Sequence, residues 1–134
     1  MSEYDVSSRY PEGLQWYCVR ARTRREHLAA SQLQDRFGLE SFCPRIRFRR
    51  ATRRGAVWFV EAMFPGYFFA RFELAEALRK VRHAHGVTGV VHFGDEIPPM
   101  PAEMIDCLRE QTGDAPWIEI DQELKPGDEV NILT

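Results

Sequence analysis

Cysteine is scarce in this chain, and its three residues, Cys18, Cys43 and Cys107, are too scattered for a disulfide framework or a zinc site. An odd count points to free thiols in a reducing compartment. No apolar run approaches the ~20 residues that span a bilayer, and no signal peptide opens the sequence. The expectation is a soluble, cytoplasmic protein with no membrane contact. Glycine-rich phosphate loops are missing too, since Gly86-Val87-Thr88-Gly89 lacks both the spacing and the following lysine. Histidine is equally sparse. His83 and His85 flank Ala84 near an expected helix end, and residues two apart on a helix do not share a face. His27 falls at the solvated edge of another helix. No nucleophile, base and acid stand together, so no enzymatic activity, metal or cofactor is expected.

What is present is enough for one ordinary domain and the edge of a second. The chain has 134 residues, 44% hydrophobic and 28% charged, a composition that excludes global disorder. Its net charge of −2 conceals an asymmetry. Residues 1–55 carry 12 Lys+Arg against 6 Asp+Glu, a balance of +6, while residues 56–134 carry 6 against 14, a balance of −8. A basic half beside an acidic half implies a polyanion or an acidic protein surface as one partner.

The densest apolar run, Met63-Phe64-Pro65-Gly66-Tyr67-Phe68-Phe69-Ala70-Arg71-Phe72, organises the rest. Pro65-Gly66 is turn chemistry, so a strand begins at about Tyr67. Alternation puts Tyr67, Phe69 and Arg71 on one face and Phe68, Ala70 and Phe72 on the other. Arginine does not sit deep in a core unless it is paired. The Tyr67 face therefore either meets a partner or is covered by a helix of the same chain.

Taken in order, Gln15 to Ala21 reads as a first strand. Thr23-Arg24-Arg25-Glu26 has capping-box spacing, which predicts a helix from there to about Phe37, with Ala29, Ala30, Leu33 and Phe37 on its apolar face and Gly38 as C-terminal cap. Leu39 to Phe42 is extended. Arg45 to Val60 reads as a long hairpin with a basic tip over Arg50 to Gly55, either solvated or touching nucleic-acid phosphate. After the central strand come a helix between Glu73 and Ala84, a strand over Val87 to Phe93, a turn at Gly94-Asp95, and a helix opened by Pro101 with Met104, Ile105 and Leu108 inward. The fold class that follows is α+β, a mainly antiparallel four- to five-stranded sheet flanked by three helices. The expected domain organisation is a flexible lead over 1–14, a domain over 15–113, an acidic linker over 114–123 and the opening of a second domain over 124–134. That last strand has no partner of its own, which suggests a domain cut away or continuing beyond Thr134.

Gly66 to Phe72 also partly matches the aromatic strand of RNA-recognition modules, whose sheet face stacks on unpaired bases. Pro65 stands where such a strand has a basic residue, and Phe68 where it has a small one. Single-stranded RNA binding is therefore the alternative to a protein-binding face.

Several ordered signatures together resemble the N-terminal domain of the NusG family of transcription elongation factors, including specialised RfaH-type antiterminators. They are Trp16-Tyr17 with Val19, the helix after them, Pro44-Arg45-Ile46, Phe64-Pro65-Gly66-Tyr67 with Phe69, Gly86-Val87 with Val90-Val91, and Phe93-Gly94. The likeness spans roughly Gln15 to Gln111. It extends weakly to Leu124 to Ile132, whose Pro-Gly-Asp turn is similar to the start of a KOW-type β-barrel.

The resemblance implies a non-catalytic factor that binds the clamp helices of the largest RNA polymerase subunit through a hydrophobic patch and suppresses pausing or termination. Tyr67, Phe69, Phe93 and Phe64 fall on or beside patch positions. Arg79 and Lys80 fall where the gate loop of the second-largest subunit is met, although the His-Thr-Thr type motif of RfaH-type members is missing. Arg20, Arg22, Arg24, Arg25, Arg82 and His85 fall where the non-template DNA strand approaches, and Arg20 replaces a patch tyrosine. A complete KOW domain would bind the ribosome or a termination factor, or fold back over Tyr67 and Phe69.

Overall fold

A computed structural model describes residues 13–112 and 117–124. Strand β1 (Gln15–Ala21) is followed by α1 (Glu26–Phe37), β2 (Glu40–Phe42), β3 (Arg45–Thr52), β4 (Gly55–Ala62) and β5 (Tyr67–Phe72). Then come α2 (Leu74–Arg82), β6 (Val87–Val90), α3 (Ala102–Thr112) and β7 (Ile118–Leu124). The architecture is α+β, with three helices among the described residues. Its strands form two sheets rather than the single one expected: a four-stranded antiparallel sheet in the order β2-β5-β1-β6, and a three-stranded sheet in the order β4-β3-β7. The hairpin β3–β4 has the alternation of a half-buried strand pair, but it builds its own small core of Ile46 and Phe48 against Phe59, Met63 and Ile118.

Alternation on β1 and β5 divides the four-stranded sheet into two unlike faces. Tyr17, Val19, Phe68, Ala70 and Phe72 join Ala29, Ala30 and Leu33 of α1 and Leu74, Ala77 and Val81 of α2 in the principal core. Trp16 and Phe69 point the other way and pack against Ile105 and Leu108 of α3. One face thus carries two helices and the other carries one. Burying aromatic side chains of this size contributes about 2–3 kcal/mol each, so the principal core dominates the stability of the domain.

Helix α1 departs from the capping-box expectation at its start. Thr23 and Arg24 form a turn, Arg24 has φ 71°, and the helix begins only at Glu26, with Arg25 as an N-cap that supplies no side-chain bond. Glu26 is 3% exposed, and its Oε2 accepts the Gly66 N–H at 2.6 Å. The carboxylate has been drawn from the helix end to the turn before β5. At the other end Gly38 closes the helix in the left-handed region as expected. Phe37 is exposed instead of facing the core.

Toward the C-terminus the expected linker over 114–123 contains β7, which lies parallel to β3 with Ile46 opposite Ile118 and Arg47 opposite Glu119. The strand that replaces the linker is tied to β3 by Arg47, which pairs with Glu119 at 3.0 Å. The expected KOW opening over 124–134 falls outside the described residues apart from Leu124, and the N-terminal lead falls outside them apart from Gly13 and Leu14.

Candidate functional site

The turn that launches β5 is fixed from three directions. Tyr67 N–H donates to Phe64 O at 2.9 Å and Ala21 N–H to Gly66 O at 2.9 Å, while the Glu26 carboxylate takes the Gly66 N–H. Strand β5 therefore enters the sheet in a defined register against β1, with Tyr67 opposite Arg20, Phe69 opposite Cys18 and Arg71 opposite Trp16. On the far side of β1, Arg20 faces Gly89, a residue without a side chain to cover it.

Along this face the two ends differ. At the Trp16 end, Arg109 of α3 lies 5.2 Å from the Trp16 ring and 5.1 Å from the Phe42 ring, and its guanidinium donates to Glu40 at 2.8 Å. Arg71 meets the same carboxylate at 3.5 Å, which gives that arginine the partner its position required. These bonds hold the Glu40 carboxyl below the usual carboxylate range, the Arg109 hydrogen bond contributing most. Helix α3 is thereby fastened over Trp16 and Phe69. At the Arg20 end nothing comparable among the described residues closes the sheet.

Burial follows that division. Tyr67 is 38% exposed, Phe93 71% and Phe69 only 3%. Phe64 is half-buried and stands edge-on to Phe69 at 5.9 Å between ring centroids. Of the two alternatives for this face, each holds at one end: α3 covers Phe69, which the resemblance places in the polymerase-contacting patch, and the Tyr67 end lies open. Strand alternation assigns a face, but the reach of a helix that comes thirty residues later cannot be read from it. A base-stacking row of the RNA-recognition kind would need adjacent open rings on β5, and burial of Phe69 removes one. Cys18, beside Phe69, is a shielded thiol whose pKa burial pushes up to about 11. Cys43 is pushed to about 12, chiefly by burial and then by Glu26.

The basic residues are sorted by the fold into separate places. Arg22, Arg25 and His85 line one open groove of about 470 Å³ together with Thr88 and the first turns of α1. Arg24 lines a second groove with Arg45 and Arg50 of the hairpin. Arg20 stands on the open sheet face across from Tyr67. Arg79, Lys80 and Arg82 are exposed along α2, on the side of the sheet opposite Tyr67. Neither the Glu26 contact to the turn nor the Glu40 pairing with Arg71 and Arg109 could be read from local pattern, since both join segments tens of residues apart. Among the described residues there is no cluster of three or more His, Cys, Asp or Glu able to hold a metal ion, and no helix is long and apolar enough to cross a membrane.

A family model described as transcription termination factor nusG matches residues 14–109. The chain belongs to the NusG family. The matched span runs from β1 to the last turns of α3 and so contains the open aromatic face, α2 and the Arg22 groove. Among solved structures, a NusG structure described as "Domain interaction in Thermotoga maritima NusG" superposes with a TM-score of 0.53 at 21% identity, over 73% of this chain and 56% of that one. That likeness shows the NusG N-terminal fold. The chain spans little more than half the length of that NusG protein. Comparison with curated protein sequences found no match.

Proposed function

We propose that this NusG-family domain is a transcription elongation or antitermination module that binds RNA polymerase through the open end of its four-stranded sheet. The observation that carries the reading is the uncovered aromatic surface at Tyr67, which is 38% exposed on a turn held by Glu26, with Phe64 beside it and Arg20 across from it. An exposed ring on a rigid turn, rimmed by a cation, has the makings of an interface anchor, and truncating such an anchor costs about 2 kcal/mol or more. Phe93 extends the surface past β6, two residues after Val91 N–H donates to Cys18 O. Phe69 contributes from beneath, by supporting Phe64.

In this reading the aromatic surface takes the clamp helices of the largest polymerase subunit. Arg79 and Lys80, on the opposite side of the sheet, take the gate loop of the second-largest subunit. A domain with contacts on two faces bridges a cleft, and it disfavours an opened, paused polymerase to the extent that it binds the closed form better. The groove of Arg22, Arg25 and His85, together with Arg24 in the neighbouring groove and Arg82 on α2, supplies positive charge toward the non-template DNA, which raises the encounter rate and makes binding salt-sensitive.

The interaction between domains named for the Thermotoga maritima NusG structure supports a related proposal. The domain of this chain runs through β7 to Leu124, and a KOW domain following it docks on the Tyr67 surface when polymerase is absent and reaches the ribosome or a termination factor when it is free. The test is capture of RNA polymerase by the immobilised chain and by its Tyr67→Ala variant. Capture by the first and loss with the second supports the reading, whereas equal capture removes Tyr67 from the interface.

A further inference from the structure

The polymerase contacts proposed above involve no residue of the second sheet. From Arg45 to Val60 the chain has six arginines and no acidic residue, and strand alternation puts Arg45, Arg47 and Arg49 on one face of β3. The hairpin register sets Trp58 across from Arg49 and Val60 across from Arg47. The Arg47 guanidinium lies 4.4 Å from the centre of the Trp58 ring, and that of Arg49 lies 5.4 Å from it. Trp58 nevertheless remains 40% exposed. The Nε of Arg49 is buried without a hydrogen-bond partner among the described residues, and its guanidinium packs beside the ring.

We propose that this face, Trp58 flanked by Arg47 and Arg49, is a stacking platform for single-stranded nucleic acid. Guanidiniums on alternate strand residues recur about 6.7 Å apart, a spacing that follows an extended anionic backbone instead of gripping one point charge. The exposed ring offers its surface to an unpaired base, which a duplex keeps stacked within itself. Ring and cation together are the two elements of sequence-tolerant single-strand binding. The chain also holds an internal substitute for the ligand. Glu119 of β7 pairs with Arg47 at 3.0 Å and is itself half exposed, so its carboxylate stands where a phosphate oxygen would. The sheet is not the one that carries Tyr67, and the platform is therefore separable from polymerase binding.

The experiment is fluorescence anisotropy with the full chain, using labelled oligothymidylate and oligouridylate and a labelled duplex, at several salt concentrations. The expected results are preference for the single strands, loss of about tenfold in affinity for Trp58→Ala, and a logarithmic salt slope of about −1.4 for two neutralised phosphates. Glu119→Gln, which removes the competing carboxylate, should tighten binding by about twofold or more, an effect that misfolding cannot imitate. Arg22→Ala with Arg25→Ala should leave the dependence on Trp58 intact. The proposal is overturned if native chain and Trp58→Ala bind single strands equally, if the duplex binds as tightly as they do, or if Glu119→Gln weakens binding.

Discussion

Replacing Phe69 by alanine separates the two roles that an aromatic residue on this face can play. Phe69 is 3% exposed and packs with Trp16, Ile105 and Leu108 under α3, so its truncation removes the ring from a closed site and leaves a cavity. Phe→Ala changes of this kind cost about 3–5 kcal/mol. The half-buried Met63, Phe64 and Met104 border the cluster and can settle toward the gap, which favours the lower end, about 3 kcal/mol. Against a total stability of about 5–15 kcal/mol, this lowers the melting midpoint by about 10 °C or more. Tyr67→Ala, at an exposed position, should cost about 1 kcal/mol or less. Urea unfolding of the native chain and both variants, followed by far-ultraviolet circular dichroism, measures the difference. If Phe69→Ala unfolds at the same urea concentration as Tyr67→Ala, α3 does not cover Phe69 and the division of the sheet face is wrong.

Other contacts give sharper local tests. Glu26→Ala removes the buried acceptor of the Gly66 N–H and should destabilise by about 1–3 kcal/mol in a denaturation series; because the turn before β5 is loosened, it should also weaken polymerase capture. Glu40 has its pKa lowered by Arg109 and Arg71, so its contribution is present above the ordinary carboxylate value near 4.5 and is lost as pH falls through the lower folded value. Comparing Glu40→Gln with the native chain should therefore show a small deficit at pH 7 that disappears in acid; it is small because both pairs are exposed to solvent. Gly86 has φ 86°, and an added Cβ would stand 3.2 Å from the Ala29 Cβ. Gly86→Ala combines left-handed strain with a contact against α1 and should cost about 1–3 kcal/mol by thermal melting.

Much of this fold was legible because it depends on local chemistry. Aromatic and β-branched density marked β1 over Gln15–Ala21, Pro65-Gly66 marked the start of β5, and the alternation of arginine with Ile46 and Phe48 marked β3. Gly38 ended α1 where a left-handed cap was expected. What was not legible depends on contacts between distant segments. The Thr23 to Glu26 spacing fits a capping box, yet the buried turn at Gly66 claims the Glu26 carboxylate. Acidic residues after 113 suit a solvated linker until the arginines of β3 are placed beside them. The same limit governed the candidate site. Tyr67 and Phe69 share a strand face in any sequence reading, but the Arg109 and Glu40 contacts that fasten α3 decide which of the two meets solvent.

The central claim is that the open Tyr67 end of the sheet contacts the clamp helices. A photo-crosslinking amino acid placed at residue 67, with residue 57 on the hairpin as control, would report it directly after incubation with RNA polymerase and mapping of the adduct. One dominant crosslink from residue 67 to the clamp helices of the largest subunit is expected, and none there from residue 57. Adducts from residue 67 that fall elsewhere on the polymerase, or no adduct from it at all, would contradict the claim.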